Sequence, residues 1–299
     1  MTTELKTGLP ANLDSLPADF VFGTATAAYQ IEGGYNEGGR GMSIWDTYAR
    51  TPGKTRNGDS GDIANDHFHR WESDLDLMKS LGIPAYRLNF SWVRLQPTGE
   101  GPLNPQGVEF YRNLIAGLHS RGIKPFVTIY HWDLPQTLQD AGGWPNRRTA
   151  ELFGEYSHLV AQTFGDIVED WITINEAWCV AFLGYEMGQH APGLTDPKLG
   201  IAAAHHVLLA HGLALKAFRE VNPALRVGIT NIVNHVVPKT NSAADQAAAD
   251  VVDVRANRVF LEPLYRGAYD EGCFGQFEQH GLNRVASADA LVKPGDLEL

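Results

Sequence analysis

The feature that most constrains this chain is a word that occurs twice, Leu81-Gly82-Ile83 and Arg121-Gly122-Ile123, about 40 residues apart. In each case an amphipathic stretch runs into a glycine and then into a β-rich run. Glycine suits the left-handed position just past a helix C-terminus, and a repeat of this length matches one strand–helix unit. Runs rich in β-branched or aromatic residues recur at 20–29, 85–90, 124–130, 171–175 and 227–232, which predicts five strands. Ala64, Phe68, Trp71, Leu75 and Met78 keep helical spacing between two of them, as do Val108, Tyr111, Leu114, Ile115 and Leu118. Further helices are predicted over about 147–164 and 200–221, an exposed helix or loop at 243–250, and a helix broken at Pro263 over 257–269.

Strict alternation of strand and helix means a parallel sheet with helices outside it, either open and doubly wound or closed into a barrel. Two observations favour the barrel. Gly33-Gly34 and Gly38-Gly39 lie in a long loop, so the first strand does not lead into a dinucleotide-binding turn. Polar residues collect where the strands end: Gln30 and Glu32, Asn89, His131 and Trp132, Asn175 and Glu176, Asn231 and Asn234. In a barrel those ends converge on one face and build the site. The expected fold class is therefore α/β, a (β/α)8 TIM barrel of which about five strands lie in this chain. No low-complexity linker divides residues 1–299, which read as the N-terminal part of a single barrel domain.

The formal net charge of −11 disfavours nucleic acid and anionic membranes as partners and suits a neutral small molecule. No run approaching a membrane span is expected, and residues 1–16 lack an apolar signal core, so a cytoplasmic location is expected. Cys179 and Cys273 show no metal or redox spacing and read as buried free thiols. The pairs His67/His69 and His205/His206 lack a third ligand at metal spacing and read as surface or packing residues. Phe68 and Trp71 are expected in the core. Neither metal nor cofactor is expected.

The strand-end residues suit a sugar. A pyranose offers hydroxyls around its rim and apolar C–H faces, so amides, imidazole and carboxylate bond the rim while aromatic rings stack on a face. Cleaving a glycoside takes two carboxyl groups, one to protonate the leaving oxygen and one to act as nucleophile or to activate water. Glu176, at the end of the fourth strand, is the candidate for the first role, with a proton held by apolar neighbours such as Trp132 and by a second carboxylate.

The run Thr173-Ile174-Asn175-Glu176-Ala177-Trp178 resembles the acid/base signature of the family 1 glycoside hydrolases, T-[FLI]-N-E-P-[WH], with Ala177 in place of the usual proline. Similar to the same family are the runs from Phe22 to Gly33, Ser43-Ile44-Trp45-Asp46, Gly58-Asp59-Ser60-Gly61-Asp62, Tyr86-Arg87, Ser91-Trp92, the run from Tyr130 to Gln136, and His190-Ala191-Pro192-Gly193. The resemblance implies a retaining β-glucosidase acting on β-glucosides or cellobiose-like substrates. It implies that Glu176 is the acid/base and that Arg87 keeps the nucleophile ionised. Gln30, His131 and Asn175 would bind glycone hydroxyls, Trp132 would line that subsite, Trp178 would face the aglycone, and Asn231 would lie near the site.

The family's nucleophile motif, I/V-T-E-N-G, does not occur in this sequence. Glu32, Glu186 and Glu262 are read as structural or solvated, so no nucleophile is named. A C-terminal barrel fragment or a continuation of the chain is expected to supply strands six to eight, since open sheet edges seek partners. The rivals are a β-galactosidase or β-fucosidase, a 6-phospho-β-glycosidase, and a non-catalytic sugar-binding or assembly fragment.

Overall fold

The computed structural model describes residues 16–17 and 19–280. Five strands, β1 (Thr24–Ala25), β2 (Ala85–Asn89), β3 (Lys124–Tyr130), β4 (Asp170–Asn175) and β5 (Arg226–Thr230), lie side by side in chain order, each parallel to its neighbour. Helices α1 (Ala28–Ile31), α2 (Ile44–Arg50) and α3 (His67–Ser80) connect β1 to β2. The next connections carry α4 (Trp92–Leu95) with α5 (Pro105–Ser120), α6 (Gln136–Asp140) with α7 (Arg147–Phe164), and α8 (Pro197–Val221). After β5 come α9 (Ala243–Asp253), α10 (Val259–Arg266) and α11 (Glu271–Gln279). These elements form part of a (β/α)8 barrel, with five strands among the described residues.

Local chemistry starts and stops the long helices. Asn104, Asn146 and Asp196 each accept a bond from the backbone N–H two residues on, opening α5, α7 and α8, and α5 and α8 add proline in the first turn. Ser43 and Asp46 bond each other's backbone N–H in a capping box that opens α2. The repeated word closes α3 and α5 as expected: Gly82 and Gly122 take φ of 69° and 73°. A Cβ there would meet nothing within 4 Å, so it is the backbone conformation and not space that calls for glycine.

Between sheet and helices, Leu88, Val127, Ile129 and Trp171 join Leu114, Leu118, Val160 and Phe164 in one buried cluster. Each such side chain contributes roughly 1.5–3 kcal/mol by leaving water. Near the C-terminal end of β3 an aromatic group extends it: Trp92 stacks on Tyr156 at 5.0 Å, and Trp144 Nε1 donates to the Tyr130 hydroxyl at 2.9 Å.

Several expectations need correction. The first strand is only Thr24–Ala25, because Ala28 N donates to the Asn89 side chain and Glu32 N to Ala28 O, which coils 28–31 into α1 and puts Gln30 on a helix. Phe20 and Phe22 lie outside the strand, 49% and 53% exposed. Strand β5 stops at Thr230, so Asn231 and Asn234 belong to the following loop. Helix α10 runs through Pro263 without breaking, directly after the π turn Val254–Arg258. Phe68 and Trp71 are only partly buried and pack on the core from outside. Helix α8 is long and apolar enough to cross a membrane, but 78% of its apolar window is buried in the fold, as befits a core helix lying against α7.

Candidate active site

At the C-terminal ends of β2, β3 and β4, the side chains form a continuous hydrogen-bonded chain. Arg87 donates from Nη2 to Asn175 Oδ1 at 2.6 Å and from Nε to Thr128 Oγ1 at 3.1 Å. Asn175 Nδ2 donates to His131 Nε2 at 3.2 Å, which leaves the imidazole proton on Nδ1, a buried atom with no hydrogen-bond partner among the described residues. Trp132 Nε1 donates to Asn175 O at 2.8 Å. Asn175 reaches this chain through an irregular strand. Thr173 points out to His211 on α8 (2.8 Å) while Asn175, two residues on, turns inward to Arg87. Strict alternation would put both on one face, and the register shift between Ile172 and Asn175 separates them.

Glu176 follows with φ of 54°, and Trp132 has φ of 76°. Left-handed backbone at a non-glycine residue costs on the order of 1 kcal/mol or more and persists where neighbours hold it. Here Glu176 N donates to Thr230 O at 2.8 Å, tying the residue to β5. A helical segment follows over 177–185, with a π turn at Cys179–Leu183, and Cys179 Sγ donates to Glu176 Oε2 at 3.4 Å. Trp178 packs edge-on to Phe182 at 5.9 Å, its buried indole N–H without a hydrogen-bond partner among the described residues.

A pocket of about 430 Å³ opens beside this chain, lined by Gln30, Trp45, Gly61, His131, Trp132 and His190 among others. Trp45 stacks on Trp132 at 6.5 Å, and His190 packs on Trp132 at 5.0 Å. The residues expected from sequence thus fall into a hydrogen-bonded group (Arg87, His131, Trp132, Asn175) with Glu176 next in the chain, and Gln30 on the same pocket. Asn231 joins neither by a hydrogen bond, and its buried Oδ1 has no hydrogen-bond partner among the described residues. Sequence inspection gave no role to Thr128, Trp45, Cys179 or His190. Trp45 and His190 stood in runs similar to the family, and Cys179 stands three residues after Glu176, where a helix turn brings side chains together; Thr128 carried no such signal.

Burial, assisted by the Arg87 cation, pushes the His131 imidazole down to about 3, and burial pushes His211 down to about 4. Burial also lowers His190, against the opposing pull of Glu176, and lowers Arg87 in the same balance. A depressed folded value means that both histidines contribute stability fully above about 6.5, which is lost as the pH falls through their folded values. Asp133, raised by burial to about 6, has the opposite sign and offsets part of this between about 4 and 6. His211→Gln is therefore expected to flatten the rise of stability with pH between about 4 and 6.5 by nearly one proton, about 1.4 kcal/mol per pH unit. Calorimetric melting across that range checks it, and parallel curves for parent and variant would refute it.

The other carboxylates are engaged elsewhere. Glu32 Oε2 pairs with the fully buried Arg94 at 2.9 Å, Glu186 with Arg255, and Glu262 with Arg266 at 3.1 Å. His67 bonds Asp74 at 2.6 Å, exposed His69 sits between Asp66 and Glu37, and His205 and His206 bond Tyr269 and the Trp144 carbonyl. Among the described residues no three His, Cys, Asp or Glu side chains are grouped to hold a metal ion. Cys179 and Cys273 are buried free thiols.

Residues 12–293 match the family described as glycosyl hydrolase family 1. The chain is 45% identical over 277 residues to beta-glucosidase A of Acetivibrio thermocellus, an alignment covering 93% of this chain and 62% of that protein. It is 45% identical over 287 residues to a bifunctional beta-D-glucosidase/beta-D-fucosidase of Bifidobacterium breve, covering 95% of this chain and 60% of the relative. The beta-glucosidase of Thermotoga maritima in complex with glucoimidazole superimposes with a TM-score of 0.87 at 43% identity, covering 92% of this chain and 62% of that one. The chain spans about three fifths of the length of the curated relatives it matches.

Proposed function

We propose, from the premise that this chain belongs to glycosyl hydrolase family 1, that it carries the acid/base half of a retaining β-glucosidase site. The observation that carries the reading is the chain of hydrogen bonds from Arg87 through Asn175 to His131, closed over by Trp132 and continued by Glu176 in left-handed backbone. Amide and imidazole on this chain, with Gln30 across the pocket, present donors and acceptors to the hydroxyls of a glycone, and Trp132 offers an apolar face. Glu176 then protonates the glycosidic oxygen as the bond breaks and takes the proton from the water that ends the cycle. Trp178 faces the aglycone, and Asn231 serves the site from the loop after β5.

The second carboxylate comes, in this proposal, from a continuation of the chain or a second polypeptide that also supplies further strands. The support is that β1 and β5 each have one sheet neighbour among the described residues and present partly or wholly exposed positions. Arg87, beside Glu176, is the cation placed to keep that carboxylate ionised. The substrates are β-glucosides and cellobiose-like oligosaccharides, with β-fucosides as a second glycone class suggested by the Bifidobacterium relative.

The test follows the anomer released. The full-length protein carrying this chain is incubated with an aryl β-D-glucoside and the sugar signals are followed by proton NMR. The β-anomer of glucose is expected first, with the α-anomer growing in by mutarotation. Initial release of the α-anomer, or no hydrolysis, would overturn the reading.

A further inference from the structure

We propose that Cys179 is a positioning residue for the Glu176 carboxyl, its thiol donating to Oε2 from the first turn of the helical segment over 177–185. This rests on the reading of Glu176 as the acid/base. The geometry follows from the turn itself: Val180 N donates to Glu176 O at 3.2 Å, so the chain coils directly after the glutamate and brings the side chain three residues on beneath its carboxyl. The π turn at Cys179–Leu183 fixes where that side chain points.

Among the described residues no other side chain hydrogen-bonds this carboxyl. The charged and titratable groups that face it are Arg87 from β2 and His190 from the loop beyond the helical segment. Arg87 directs Nη2 and Nε to Asn175 and Thr128, and His190 packs its ring on Trp45 and Trp132. Cys179 is 5% exposed, and burial followed by the hydrogen bond to Glu176 pushes its thiol up to about 12, so it stays a protonated donor at neutral pH. A donor that stays protonated favours the carboxylate over the carboxylic acid and holds the side chain in one rotamer for both halves of the cycle.

The experiment compares Cys179→Ala, Cys179→Ser and the parent in the full-length protein, using kcat/KM against pH on an alkyl β-glucoside, whose poor leaving group needs the acid. Removing the thiol in Cys179→Ala is expected to move the basic limb upward by roughly half a pH unit, the scale of one weak hydrogen bond to a charged group. The stronger hydroxyl donor of Cys179→Ser is expected to move the limb downward, with thermal melts confirming the fold of each. Limbs that superimpose for all three overturn the proposal, since a side chain that only fills space leaves the profile still. If Cys179→Ala fails to fold, Cys179→Ser decides alone: a lowered limb supports the proposal and an unchanged one overturns it. Glu176→Gln run alongside separates the two levels. Undiminished turnover by that variant removes the acid/base reading and the proposal with it, whereas a dead Glu176→Gln beside unmoved cysteine variants removes the proposal only.

Discussion

Glu176→Gln, made in the full-length protein, is expected to lose about 10²–10⁴-fold in kcat on alkyl β-glucosides and cellobiose, the usual contribution of a positioned proton donor. The substitution is close to isosteric and leaves the backbone anchor from Glu176 N to Thr230 O untouched, so the melting curve is expected to be unchanged. The size of the loss depends on the leaving group. A dinitrophenyl glucoside departs without a proton, so its first step survives and product appears as a burst, followed by slow turnover because no base remains to activate water. Azide, which attacks without giving up a proton, is then expected to restore turnover and to form the β-glucosyl azide. A uniform loss across all leaving groups, with no burst and no rescue by azide, would place Glu176 outside the proton transfer.

The parts of this arrangement legible in sequence are those carried by local patterns. The glycine-closed helices α3 and α5, and the strands β2, β3 and β4, follow from periodicity and from Gly82 and Gly122 in left-handed backbone. Glu176 was visible because a strand-end acid beside Asn175 and Trp178 repeats a family signature. What stayed hidden depends on tertiary contacts. Phe20 to Tyr29 looks like one long strand, yet the bond from Ala28 N to Asn89 across 61 residues coils its end into a helix and lifts Gln30 onto the pocket. Period-two counting places Thr173 and Asn175 on one face of β4, and only the register shift against β5 turns Asn175 inward. Helix α8 has the composition of a membrane span because both of its faces are covered by other parts of the fold, something composition cannot distinguish from lipid.

Arg94→Met is expected to be the most damaging of the stability variants, at about 3–5 kcal/mol, because it strands a buried carboxylate. Glu32, 5% exposed, sits directly after α1; its Oε2 accepts from Arg94 Nε at 2.9 Å and its Oε1 from the Tyr111 hydroxyl at 2.6 Å. Arg94 is fully buried, donates to Gly33 O at 3.0 Å and lies over the Phe68 ring at 4.2 Å. With the cation gone, the tyrosine is the one side-chain partner that Glu32 keeps among the described residues, and the carboxyl must either take up a proton or stay charged in an apolar setting. Removing both charges, as Arg94→Met with Glu32→Leu, is expected to cost less than Arg94→Met alone, since no orphaned ion is left. A double-mutant cycle by chemical denaturation measures this coupling, and additive losses would show that the two side chains act separately. The same ion pair fixes the C-terminal end of the short helix that carries Gln30. Arg94→Met, assayed well below its melting temperature, is therefore expected to raise KM for glucosides more than it lowers kcat, the signature of a loosened binding residue beside an intact proton donor.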